Sequence, residues 1–189
     1  MSAPLLTIEA LVAGWGGPVT APVDLTVAAG EIVGLAGPNG VGKSTLLAAL
    51  TGSGRVHAGT LTTKPGLRMA YQTQAMPPVD GVPLSGAELL GLTGAAPEGL
   101  PTWLADRLHI RLDKLSGGQR QYLALWAILQ APADLVLLDE PTNNLDAAGT
   151  AHLAVALQRR AAAGAGILLV SHDAEFADAV CQRIVHLGG

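Results

Sequence analysis

Three short stretches carry side chains whose types and spacing could do chemistry. Gly37-Pro38-Asn39-Gly40-Val41-Gly42-Lys43-Ser44-Thr45 fits the phosphate-binding pattern G-x-x-x-x-G-K-[ST], placed after an apolar strand and before a helix. Its glycines let the backbone curl so that several N–H groups point at phosphate oxygens, and the helix starting near Ser44 adds the positive end of its dipole. Lys43 can hold β- and γ-phosphates, and the Ser44 hydroxyl can face a Mg²⁺ ion that neutralises charge between them. Further along, Leu135-Val136-Leu137-Leu138 delivers Asp139 and Glu140 at a strand end, where open α/β sheets bind ligands. One carboxylate can serve a metal and the next can activate water. Between these stretches, Ser116-Gly117-Gly118 opens an amphipathic helix from Gln119 to Leu129, a second helix N-terminus suited to an anion. One nucleotide needs only one phosphate loop, so this second pole calls for a separate explanation.

The elements that must position these groups follow from hydrophobic period and turn residues. Leu5 to Leu11 reads as a strand, and Asp24 to Val27 with a Gly30 turn into Glu31 to Leu35 reads as a hairpin. A helix is expected from Ser44 to Leu50, with Gly52 as its stop, then strands at Thr60–Thr62 and Leu67–Tyr71. From Ala75 to about Pro101 the chain is rich in Pro and Gly, with Ser85-Gly86-Ala87-Glu88 shaped like a capping box and Trp103 to Leu108 a candidate helix. Residues 75–130 are thus expected to form a small helical insertion in one domain spanning 1–189, whose core lies at about 1–74 and 131–189. After Pro132, the apolar runs Leu135–Leu138 and Ile167–Val170 alternate with helices from about Ala147 to Ala163 and from Asp173, before a last strand at Arg183–Leu187. Apolar runs alternating with helices indicate an α/β fold around a parallel or mixed sheet, with an antiparallel β subdomain at the N-terminal side.

Composition narrows the function classes. Of 189 residues, 49% are apolar and 14% charged, which excludes a disordered polyelectrolyte and allows a sizeable core. Only six aromatics are present (Trp 3, Tyr 2, Phe 1), so packing must rest on Leu, Val, Ala and Gly. The formal charge of −4 and the lack of a basic run argue against bulk attraction to nucleic acid or an anionic membrane surface. Any anion must be held locally, and Lys43 is one of only three lysines. A single Cys181 and an N-terminus without a signal-peptide pattern fit a reducing cytoplasm, and no apolar run approaches the length needed for direct membrane insertion. His57, His109, His152 and His186 show no metal-ligand spacing, while Cys181, Trp103 and Trp126 are expected in the core.

Leu115-Ser116-Gly117-Gly118-Gln119 resembles the signature motif of ATP-binding cassette (ABC) ATPases, and other elements of that family follow in order. Gln74 resembles the Q-loop glutamine, with Gln72 the alternative if the strand ends earlier. Asn144-Leu145-Asp146 resembles the D-loop, and His172 after Ser171 resembles the switch histidine. Trp15 stands where the family has an aromatic stacked on adenine. The resemblance implies ATP on Gly37, Asn39, Gly40, Gly42, Lys43, Ser44 and Thr45, with Mg²⁺ organised by Ser44, Gln74 and Asp139. It implies Glu140 and His172 as the groups handling water and γ-phosphate. It further implies a head-to-tail pair in which Ser116, Gly117, Gly118, Gln119 and Asp146 complete the site of a second ABC ATPase domain. A separate transmembrane permease, gripped by the helical insertion, would keep the chain on the inner face of the cell membrane. Two departures stand out: the chain is short after His172, and the helix after the signature reads Gln121-Tyr122-Leu123-Ala124-Leu125-Trp126-Ala127 instead of Arg-rich text. The stretches Pro141–Asp146 and Ser171–Phe176 also resemble soluble duplicated cassettes that act on ribosomes, though those carry two cassettes and a charged linker.

Overall fold

The computed structural model describes residues 4–73 and 83–188. Two sheets form its frame. The strands β1 (Pro4–Gly14), β2 (Val23–Ala28) and β4 (Arg55–Thr63) make an antiparallel sheet in the order β2-β1-β4. A parallel sheet runs β5-β6-β7-β3-β8, from β3 (Ile32–Ala36), β5 (Met69–Gln72), β6 (Leu135–Asp139), β7 (Gly166–Val170) and β8 (Arg183–His186). Both central strands β6 and β7 are buried along their whole length, as near-continuous apolar text requires of a sheet covered on both faces. Alternate residues divide between the two faces. Leu135, Leu137, Leu168 and Val170 pack with Leu46, Leu47 and Leu50 of α1 (Lys43–Leu50) and with Leu6, Ile8 and Val27 of the antiparallel sheet. Val136, Leu138, Ile167 and Leu169 pack with α4 (Gly117–Leu129), α5 (Ala147–Ala162) and α6 (Ala174–Val180).

The expected hairpin of Asp24–Val27 with Glu31–Leu35 does not form. β2 pairs antiparallel with β1, whereas β3 pairs parallel with both β7 and β8. The period of the text explains the split: β2 alternates buried and exposed residues, as a one-sided strand must, while Ile32–Leu35 is buried throughout. Gly30 at φ +79° turns the chain between sheets, and Glu31 pins the corner by accepting from Ala28 N–H at 2.8 Å and Arg183 Nε at 2.7 Å. β4 is longer than the Thr60–Thr62 reading because its nearly continuous exposure at the sheet edge leaves no alternation in the sequence.

The Ser85–Glu88 capping box forms as expected at the start of α2 (Gly86–Thr93). The next helix is shorter than Trp103–Leu108, a single turn α3 (Thr102–Ala105), and α4 begins at Gly117, ahead of Gln119. Trp126 is buried, its indole N–H donating to Ala96 O at 2.9 Å. Trp103 departs from the expected core position: it is 40% exposed, its ring edge-on to Tyr122 at 5.5 Å. Gln74 and residues 75–82 of the expected insertion lie outside the described residues.

Candidate nucleotide site

The loop between β3 and α1 bends through left-handed backbone at Gly37, Gly40 and Gly42, the last at φ +101°. At Gly42 any side chain is strained: an added Cβ would stand 2.6 Å from Thr20 Cγ2. Thr20 cannot easily yield, because its Oγ1 accepts from Ala13 N–H at 2.8 Å. Gly42 is also the N-cap of α1, which has no side-chain cap. Lys43 is buried, and its ammonium arches back to donate to Gly37 O at 2.8 Å and Pro38 O at 3.0 Å. The cation thus sits against the carbonyl rim of the loop.

Opposite the loop, β6 and β7 present their C-terminal ends in register, Asp139 beside Val170. A cavity of about 380 Å³ separates the two sides, with Asn39, Gly40, Gly42, Lys43, Ser44 and Thr45 on one wall and Glu140, Val170 and His172 on the other. Val19 completes it from the turn that carries Trp15. Trp15 itself is more than half exposed.

Asp139 is buried, and its Oδ1 has no hydrogen-bond partner among the described residues. Burial raises its pKa, opposed first by the Ser44 hydroxyl and then by the charges of Lys43 and His172. A buried oxygen without a partner beside a serine hydroxyl fits a hard divalent cation that prefers oxygen ligands. Glu140 is also buried, at φ +54°, a conformation rare for a side-chain-bearing residue. Its N–H donates to Val170 O at 2.9 Å, and its Oε2 accepts from His172 N–H at 3.0 Å. Glu140 Oε1 lies 3.0 Å from His172 Nε2, at ion-pair distance but outside hydrogen-bond geometry. His172 therefore grips Glu140 through the backbone while its ring reaches partly into solvent.

At the second helix N-terminus, Ser116 caps α4. Its Oγ accepts from Gln119 N–H at 3.2 Å, and Gln119 Oε1 accepts from Ser116 N–H at 3.1 Å. Gly117 has no atom within 4 Å of a would-be Cβ, and Gly118 only Asn144 O at 3.6 Å. Neither has a positive φ. A cavity of about 410 Å³ lies here, bounded by Trp103, Ser116, Gly118, Asn144 and Asp146. Asp146 caps α5 by accepting from Gly149 N–H at 2.7 Å.

The fold thus gathers the loop, Glu140 and His172 at one cavity, with Asp139 buried beside Ser44, and Ser116, Gly118, Gln119 and Asp146 at another. Gln72 ends β5 as a buried residue whose Oε1 has no partner among the described residues, while Gln74 is beyond them. Sequence reading missed Val19 and Thr20. Neither belongs to a motif, and their contact with Gly42 depends on how the antiparallel sheet folds over α1.

Comparison with known proteins bears on the family and the fold. Residues 20–79 match the family model described as "ABC transporter", and residues 105–178 match one described as "AAA domain, putative AbiEii toxin, Type IV TA system". The zinc import ATP-binding protein ZnuC of Cereibacter sphaeroides is 41% identical over 181 residues, covering 89% of this chain and 72% of that one. ZnuC of Magnetococcus marinus is 37% identical over 194 residues, 97% of this chain and 74% of its own. Among solved structures, an ATP binding subunit of an ABC transporter superposes with a TM-score of 0.83 at 26% identity, covering 97% of this chain and 85% of that one. The RNase-L Inhibitor superposes with a TM-score of 0.80 at 25% identity, covering all of this chain but 38% of that one. No described helix is long and apolar enough to cross a membrane. The chain belongs to the family of ABC transporter ATP-binding subunits, which are ATPases.

Proposed function

We propose that this chain binds ATP on the Gly37–Thr45 loop and hydrolyses it with Glu140, and that ATP-driven closure of two such chains powers a separate transmembrane permease. The observation that carries the hydrolytic part is the single cavity with Lys43 and Ser44 on one wall and Glu140 gripped by His172 on the other. Loop N–H groups and Lys43 bind the phosphates, while Asn39 and Thr45 shape the wall around them. Ser44 and Asp139 would hold Mg²⁺, with Gln74 as a further contact, and the ion would supply charge neutralisation between the β- and γ-phosphates. Trp15 offers an exposed face at the turn next to Val19, suited to stacking on adenine. Glu140 accepts the proton of the attacking water, and His172 orients that carboxylate and contacts the γ-phosphate.

The paired arrangement is supported by the glycines of the signature. Gly117 and Gly118 weaken the first turn of α4, yet neither a positive φ nor a crowded Cβ requires them. Bare backbone at a helix N-terminus suits close approach from outside, here the γ-phosphate held by a second chain, with Ser116, Gln119 and Asp146 around it. The likeness to zinc-import relatives makes a divalent metal ion the proposed cargo, recognised by the permease. The chain would then work on the cytoplasmic face of the membrane through that partner.

Light scattering after size exclusion tests this reading. Glu140→Gln with ATP should persist as a dimer, and adding Ser116→Arg should return it to monomers that still bind nucleotide. Hydrolysis by Glu140→Gln at the native rate would remove the base from the mechanism. A second reading, a soluble mechanochemical ATPase acting on a ribosome or other macromolecule, draws on the resemblance of Pro141–Asp146 and Ser171–Phe176 to soluble duplicated cassettes. ATP-dependent co-purification with ribosomes, without a permease, would favour it.

A further inference from the structure

The signature helix and the acidic end of β6 are tied together by one side chain outside the motifs above. Gln121, on α4, donates its Nε2 hydrogen to Asn143 O and accepts at Oε1 from Asn144 Nδ2 at 3.1 Å. Asn143 N–H in turn donates to Glu140 O at 3.2 Å. The turn so held is strained: Glu140 and Asn144 have φ of +54° and +60°, and among the described residues Ala10 is the only other non-glycine with positive φ. Such conformations persist only where the surroundings over-determine them. On one side His172 fixes the Glu140 carboxylate; on the other, Gln121 fixes the backbone that leads away from it.

We propose that Gln121 is a positioning residue for Glu140. It acts through the Asn143-Asn144 turn and carries to it the engagement of the signature that α4 begins with; this second half rests on the paired-chain reading above. The packing agrees: Asn144 O lies 3.6 Å from a Cβ built on Gly118, so the turn and the signature helix are in contact. Phosphate docking on Ser116–Gly118 then bears on the same turn that sets the Glu140 backbone. The Gln121 bonds are at the surface, so their loss should loosen the turn without unfolding the chain.

Steady-state ATP hydrolysis tests the positioning role. Gln121→Ala should lower kcat by about tenfold or more, because a misplacement of about an ångström at a reacting group costs up to about a hundredfold. KM for ATP should move by less than about twofold, since the groups that bind ground-state nucleotide are untouched. Asn144→Gly keeps the left-handed backbone and removes only the amide, and should lower kcat in the same sense. The double variant should be no slower than the slower single one, as expected for residues acting through one link. Gln121→Glu, which can accept from Asn144 but cannot donate to Asn143 O, should be intermediate. Native kcat in Gln121→Ala, a rise in KM alone, or losses that multiply in the double variant would overturn the proposal. In the Glu140→Gln background, Gln121→Ala should leave ATP-driven pairing intact. Loss of pairing there would make Gln121 a shaper of the signature surface and also overturn it. If Glu140→Gln with native Gln121 fails to pair, the paired-chain reading and the coupling half fail, while the kcat arms still decide the positioning role.

Discussion

The helix starts at the glycine loop and at the Ser116–Gly118 stretch are built in opposite ways. α1 begins at Gly42, left-handed and without any side-chain cap, behind a loop whose glycines are forced by backbone angle and by Thr20. α4 is capped by Ser116 with a complete capping box, and no described residue crowds the Cβ position of its glycines. The first start is shaped by contacts within its own fold. The second satisfies its own first turn through the capping box and leaves bare backbone beside it, as the proposed approach from a second chain requires. A glycine required by its own fold and a glycine that its fold leaves unconstrained can thus be told apart in a single chain by what a Cβ would meet.

Substitutions can break or sharpen that contrast, beginning at the loop. Lys43→Ala removes the buried ammonium that donates to Gly37 O and Pro38 O; two charge-assisted bonds of that kind turned to phosphate would make the expected loss about a hundredfold in ATP affinity. Titration with a fluorescent ATP analogue checks this on protein whose unfolding is unchanged; native affinity would contradict the loop assignment. Gly42→Ala should unfold more easily, by about 1–3 kcal/mol, since it forces Ala into an unfavourable conformation against Thr20. Urea denaturation of the nucleotide-free chain measures it.

Asp139→Asn should stabilise the nucleotide-free protein while abolishing hydrolysis. The folded pKa of Asp139 is raised by burial, so its protonated form favours folding below the unfolded pKa, and that advantage is lost as pH rises through the folded value. At neutral pH the buried carboxylate is therefore a penalty. Removing it should raise Tm by about 2–4 °C per kcal/mol relieved, and the gain should vanish in acid. A lower Tm at pH 7 would contradict the burial argument. The smallest effect sharpens the comparison most. Gly117→Ala should leave the lone chain as stable or up to about 1 kcal/mol more stable, by helix propensity. Yet it should weaken ATP-driven pairing of Glu140→Gln chains. A Gly117→Ala chain that is destabilised alone would show that the glycine serves the fold after all.

Much of this protein was legible in its residues because the relevant signals are local. The loop pattern, the acidic end of β6 and the Ser85–Glu88 and Ser116–Gln119 boxes each depend on neighbours within one or two turns of chain. Continuous apolar text likewise announced β6 and β7 as strands buried on both faces. Long-range relations were not legible. The assignment of β2 and β3 to different sheets depended on which strands each could pair with across the fold. That Thr20 stands against Gly42, and that Gln121 holds the turn leaving Glu140, follows from packing between segments about twenty residues apart in the chain. Sequence alone determined which groups could bind phosphate and activate water, since that is a matter of residue type and local spacing. Tertiary structure alone decided that Lys43 and Glu140 line the same cavity and that Gly117 is free of internal need, because both depend on distances set by the closing of sheets and helices into one core.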